Sequence, residues 1–136
     1  MKVGFTGTRN GMTLDQKTRL RNLLFGLVST DGPNEFHHGD CLGADAEAHE
    51  IAVQLGYTAV IHPPINPTMR AFCSGTILEP LDYLERNQEI VNFSSILIAA
   101  PHENKEVLRS ETWSTIRRAR SAGKEVKILY PNEEEE

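Results

Sequence analysis

Two glycine turns and one hydroxyl cluster hold the residue types that could do chemistry in this chain. His38-Gly39-Asp40-Cys41-Leu42-Gly43-Ala44-Asp45 lies between a strand-like and a helix-like segment. Such a turn offers backbone N–H groups at a helix N-terminus, where they can meet an anion such as a phosphate. Thr6-Gly7-Thr8-Arg9 follows the first strand pattern and adds a guanidinium able to grip phosphate bidentately. Ser110, Thr112 and Thr115 place hydroxyls at the start of the last helix pattern, suited to phosphate binding or to simple capping. Ligands of open α/β sheets bind at strand carboxyl ends. Together these stretches point to a small nucleotide-like ligand.

Carboxylates flank the same turns. Asp45 suits a first helical turn, where it favours the macrodipole and caps free amides; its other reading is a contact to a ribose hydroxyl. Asp40, Glu106 and Glu111 are weak candidates for a catalytic acid, and Glu111 also reads as an ordinary first-turn helix acid. His37 and His38 are adjacent on a strand, so they face opposite sides and cannot chelate one ion together. His38 or His62 could reach a ligand at a strand end, or be satisfied polar residues. Cys41 and Cys73 have no metal-ligand spacing and read as free thiols, with Cys41 open to solvent in the turn. No metal signature is visible, and no resident cofactor is expected. Trp113 is expected to pack against the sheet or a subunit partner, and Arg117, Arg118 and Arg120 form a basic patch on a solvated helix face.

Periodicity supplies the elements that must hold these groups. Five strand-like segments alternate with four helix-like ones. Val3 to Thr6, Glu35 to His38, Thr58 to His62, Ser95 to Ala100 and Val126 to Tyr130 carry the strand pattern. Thr13 caps a helix whose apolar stripe is Leu14, Leu20, Leu23, Leu24 and Leu27. Further helices run from Ala44 to Leu55, stopped by Gly56, from Leu81 to Phe93, and from Ser110 or Thr112 to Gly123. The segment 63–80 is long and irregular, in the manner of a lid or binding loop; Arg70 and Phe72 would be its contacts to a base. Strand–helix alternation with short connections implies right-handed crossovers and a parallel α/β three-layer sandwich, Rossmann-like, with five strands in the order 3-2-1-4-5.

Composition bounds the partners. The chain of 136 residues is expected to form one domain over 1–131 with an acidic, disordered tail over 132–136. The formal charge of −5 falls to about −1 without Glu133 to Glu136, so there is no basic face for broad nucleic-acid binding. No apolar run reaches membrane-spanning length, and a cytoplasmic protein is expected.

In register on these elements, three motifs resemble the SLOG superfamily of Rossmann-like domains, particularly its YspA-like branch. His38 to Asp45 resembles the family turn H-G-G-x-x-G-A-D, with Asp40 where glycine is usual. Arg86-Asn87 resembles its R-N pair. Thr112-Trp113-Ser114-Thr115, with Ala119 and Gly123-Lys124-Glu125-Val126, resembles its last helix and strand. The resemblance covers nearly the whole chain apart from 63–80 and the tail. It implies binding of nucleotides or nucleotide-derived small molecules, with Gly7, Thr8, Arg9, Gly39, Asp40, Gly43, Ala44, Asp45, Arg86, Asn87, Ser110 and Thr112 around the ligand. Relatives include phosphoribohydrolases, a DNA-processing protein and sensor domains for nucleotide signals.

The sequence departs from the phosphoribohydrolase pattern where catalysis would reside. The loop after Ala100-Pro101 carries His102-Glu103-Asn104-Lys105-Glu106 instead of a glycine pair, Glu111 replaces a glycine, and Thr115 stands at the catalytic glutamate position. N-glycosidic cleavage through an oxocarbenium-like state needs a carboxylate, which a threonine cannot supply. The expectation is therefore a homo-oligomeric domain that binds or sequesters a nucleotide-derived molecule. The alternatives are an N-glycosidic hydrolase with a non-standard acid, and an interaction module with a vestigial pocket.

Overall fold

The computed structural model describes residues 1–132. Ten elements follow in order: β1 (Lys2–Gly7), α1 (Leu14–Leu27), β2 (Glu35–His38), α2 (Ala44–Gln54), β3 (Thr58–Ile61), β4 (Thr76–Ile77), α3 (Tyr83–Phe93), β5 (Ile96–Ala100), α4 (Glu111–Ser121) and β6 (Glu125–Ile128). The proposed acidic tail falls, but for Asn132, outside the described residues.

All pairings in the sheet are parallel, in the order β4-β3-β2-β1-β5-β6. The five strands expected from periodicity take the order derived for them. The sheet has six, however, because Thr76–Ile77 of the irregular segment adds an edge strand against Val60 and Ile61. Chain direction across the sheet reverses between β1 and β5, and a crevice opens at such a switch point.

The centre of the sheet is buried on both faces, as parallel sheets require. Alternation on β5 divides it: Ile96, Ile98 and Ala100 join Leu20, Leu24, Ala48 and Ile51 of α1 and α2, whereas Leu97 meets Ile90, Val91 and Ala119 of α3 and α4. Leu14 departs from the expected stripe. It is 80% exposed, because position one of α1 precedes the turn that faces the sheet. The capping box at this end forms: Thr13 Oγ1 accepts from the Gln16 N–H, and Gln16 Oε1 from the Thr13 N–H. The remaining amide of buried Gln16 donates to the carbonyls of Pro101 (2.9 Å) and Leu129 (2.7 Å), tying α1 to the exits of β5 and β6.

Candidate functional site

The loops leaving β1, β2 and β5 meet the start of α4 around one cavity of about 350 Å³. Gly7, Thr8, Arg9, Gly39, Asp45, Arg86, Asn87, Ser110, Glu111 and Thr112 all line it. Phe5, Thr6, Cys41, Ile90, His102, Glu103 and Arg109 complete the wall. Thr6 and Cys41 belong to the two glycine turns read from the sequence; the other five are not among the binding residues expected, although His102 and Glu103 lie just beyond the carboxyl end of β5, the position where such crevices open.

Asp40, Gly43, Ala44 and Glu106 do not line this cavity, and neither do Arg70 and Phe72. Asp40 is fully buried in the left-handed region (φ 61°), a conformation that aspartate tolerates better than most residues. Its carboxylate accepts from Arg70 Nε at 2.8 Å and from the Cys73 N–H at 2.9 Å. Burial alone would raise its pKa, yet these donors hold it below the ordinary carboxylate value. Asp40 therefore clamps the 69–73 loop behind the turn, and Arg70 is occupied in that clamp. Gly43 and Ala44 join the two turns back to back: a Cβ at Gly43 (φ 90°) would stand 2.3 Å from the Arg9 carbonyl, and the Ala44 N–H donates to Thr8 O at 2.9 Å. Glu106 is paired with Arg117 at 2.6 Å, so part of the expected basic patch is neutralised.

The amides of the glycine turn are largely spent inside the protein, contrary to the open cradle expected. The Asp40 N–H donates to His38 Nδ1, Cys41 to Asp45 Oδ2, Leu42 to Met69 O and Ala44 to Thr8 O. The free donors lie at α4. Ser110 Oγ caps the Trp113 N–H, leaving the Glu111 and Thr112 amides without a protein acceptor among the described residues. Arg9 stands opposite, 3.4 Å from Glu111 Oε2, with both side chains about half exposed at the mouth.

The floor carries an unusual polar group. Asp45 neither caps α2, whose N-cap is Gly43 with no side-chain bond, nor faces solvent. Oδ2 accepts from the Cys41 N–H at 3.2 Å, while the buried Oδ1 has no partner. Burial drives this carboxyl's pKa up to about 6, against the attraction of Arg86. Arg86 is 2% exposed and pairs with no carboxylate among the described residues. Its donors go to Asn87 Oδ1 (2.7 Å), the Gly39 carbonyl (2.6 Å), the His62 carbonyl (3.2 Å) and Cys41 Sγ (3.8 Å). Cys41 is buried, not open as expected, and burial with the nearby Asp45 charge pushes its thiol up to about 11, which leaves it a poor nucleophile.

The histidines form two pairs on opposite sides of β2, as alternation requires. His37 Nδ1 lies 2.8 Å from His62 Nε2, and His38 Nε2 lies 3.0 Å from His49 Nδ1. Burial lowers His37, takes His38 to about 3 and His62 to about 4, so these three are neutral, and all four rings are satisfied within their pairs rather than lining the cavity. His38, His49 and Cys73 bring their donor atoms within 4.8 Å of one another, a spacing a metal ion could use. Their protonation opposes it. The Asp40 N–H occupies His38 Nδ1, which keeps the ring proton on Nε2, the atom a metal would need. The Cys73 thiol is also pushed up to about 12 by burial and by Asp40.

No protein-family model and no curated protein sequence matches this chain. Solved structures do. A molybdenum cofactor binding protein from the phototrophic bacterium Rippkaea orientalis superposes with a TM-score of 0.71 at 19% identity, over 96% of this chain and 76% of that one. The structural-genomics target TM1055 superposes with a TM-score of 0.61, also at 19% identity, over 93% and 72%. The fold is Rossmann-like. Within it the cavity occupies the switch point between β1 and β5, and no helix among the described residues is long and apolar enough to cross a membrane.

Proposed function

We propose that this Rossmann-like domain belongs with the SLOG group and binds a nucleotide-derived small molecule, as a sensor or sequestering protein. The observation that carries the reading is the single cavity in which the α4 N-terminus and Arg9 face the floor made by Arg86, Asn87, Gly39 and Asp45. Free amides at Glu111 and Thr112, together with the Arg9 guanidinium, suit a phosphate. The ribose and base then extend toward Gly39, Asp45 and Arg86. Thr115 supports binding over hydrolysis. It is fully buried, its hydroxyl donates to the Glu111 carbonyl at 2.9 Å, and it lies outside the cavity wall.

Thermal shift with AMP, NAD and cyclic ADP-ribose tests this reading. A ligand at 100 times its dissociation constant adds about 2.7 kcal/mol to stability. Arg9→Ala and Thr112→Ala should each weaken AMP binding, and unchanged affinity in both would refute this placement. Recovery of free adenine or ribose 5-phosphate would instead establish an N-glycosidic hydrolase. Self-association through the exposed helices is part of the proposal and is checked by sedimentation.

A molybdenum-cofactor role is a second reading, favoured by the ligand of the Rippkaea orientalis neighbour. The α4 end suits a phosphate, but the sulfur lining the cavity, Cys41, is held as a thiol and makes a poor metal ligand.

A further inference from the structure

We propose that Asp45 is the specificity-determining residue of the cleft: it selects ligands that present a sugar hydroxyl to its unpartnered oxygen and rejects bare anions. The inference deepens the nucleotide-ligand reading and rests on it.

Three observations lead to Asp45. First, Oδ1 is buried, has no hydrogen-bond partner and belongs to a residue that lines the cavity, although the residue is only 5% exposed. A carboxylate oxygen in that position forfeits its hydration without replacement, at a cost that a ligand donor would remove. Second, no side chain among the described residues donates to that oxygen. Arg86 is near enough to attract Asp45, yet four of its five N–H groups go to Asn87, Gly39, His62 and Cys41, and none bonds Asp45. Third, the two ends of the cleft differ. Arg9 and the free α4 amides stand at the mouth beside Glu111, and the unpartnered Asp45 acceptor stands at the floor beside Arg86, most of whose donors are already engaged. The complementary guest carries its anion outward and a hydroxyl inward, as a ribosyl phosphate does. An anion pushed to the floor would meet the Asp45 charge.

The titratable and charged groups around Asp45 are Arg86 from α3, Asp40 and Cys41 from the turn, Cys73 from the 69–73 loop, and, on the rest of the cleft wall, Arg9, His102, Glu103, Arg109 and Glu111. The test therefore compares matched probes on the intact chain, so that every other titration cancels. AMP and 2′,3′-dideoxy-AMP share one phosphate and differ only in the sugar hydroxyls. Calorimetric titration at pH 7.5 should show a preference for AMP of roughly 10- to 100-fold, the range for a hydrogen bond to a charged group. Ionisation of a carboxyl near pH 6 makes that preference shrink about 10-fold by pH 5. Asp45→Asn should abolish the pH dependence, and the matched probes decide the matter on the native chain should that variant fail to fold. Equal binding of the two nucleotides, a preference that grows toward acid, or pyrophosphate binding as tightly as AMP would overturn the role of Asp45 and leave the ligand reading standing. If AMP, ADP-ribose and ribose 5-phosphate all fail to bind, both fall.

Discussion

Replacing Asp45 by asparagine should stabilise the free protein. The folded state lifts this carboxyl from 3.8 to about 6, so folding favours its protonated form. The contribution is fully present below the unfolded value, is lost as pH rises through the folded value, and above it the ionised group costs about 3 kcal/mol at 1.36 kcal/mol per unit. Asparagine cannot ionise, and its carbonyl can still accept the Cys41 N–H. The variant should therefore exceed the native chain by about 3 kcal/mol at pH 8 and by about half of that at pH 5. Urea unfolding followed through Trp113, the single tryptophan and 2% exposed, measures this directly. At a slope of about 2 kcal/mol per molar, the midpoint moves up by about 1.5 M at pH 8. A variant less stable than the native chain at pH 8, or shifted equally at both pH values, would refute the reasoning. Stability gained by removing a group with an unmet hydrogen bond is the mark of a site kept for binding.

Other outcomes follow from the same geometry. His38 and His62 have folded values depressed to about 3 and about 4, so the unfolded chain takes up protons first and stability falls as pH drops from 6.5 toward 4. Each contributes about 1.4 kcal/mol per pH unit, Asp45 offsets one of them below pH 6, and Asp45→Asn should steepen the loss; unfolding curves at pH 6.5, 5.5 and 4.5 check it. Gly43→Ala places a methyl 2.3 Å from the Arg9 carbonyl at φ 90° and should cost more than about 2 kcal/mol. Gly26→Ala, in α1 with nothing within 4 Å of the new methyl, should gain about 0.5–1 kcal/mol, and thermal melts compare the two. Glu111→Gln frees Arg9 and should raise AMP affinity about 3-fold at low salt, with the gain fading as salt screens the mouth.

Much of the fold was legible because a parallel sheet with flanking helices writes two periods into the chain. Apolar Ile96 to Ala100 marked a strand covered on both faces, and Thr13 marked where α1 begins. The two-residue β4 was not legible, since Thr76 and Ile77 are exposed and too few to show alternation. Convergence of the Gly7, Gly39 and Ser110 stretches on one cavity follows from their places at strand carboxyl ends. What sequence could not show was how each turn spends its polar groups. Asp40 owes its structural role to Arg70 and Cys73, about thirty residues away, and nothing local announces that clamp. The unpartnered oxygen of Asp45 exists only because Cys41 takes one side of the carboxylate and burial denies water to the other. Helix-dipole logic placed Asp45 in the first turn of α2 and had it cap a free amide, which the Cys41 N–H supplies; the unmet second oxygen was outside its reach.

Pairing of the four interior imidazoles leaves this molecule with one histidine within reach of a reagent. His37, His38, His49 and His62 are each no more than 6% exposed, while His102 stands exposed at the lip of the cleft. An acylating probe for imidazole would mark the entrance alone, and a guest seated there would shield the mark.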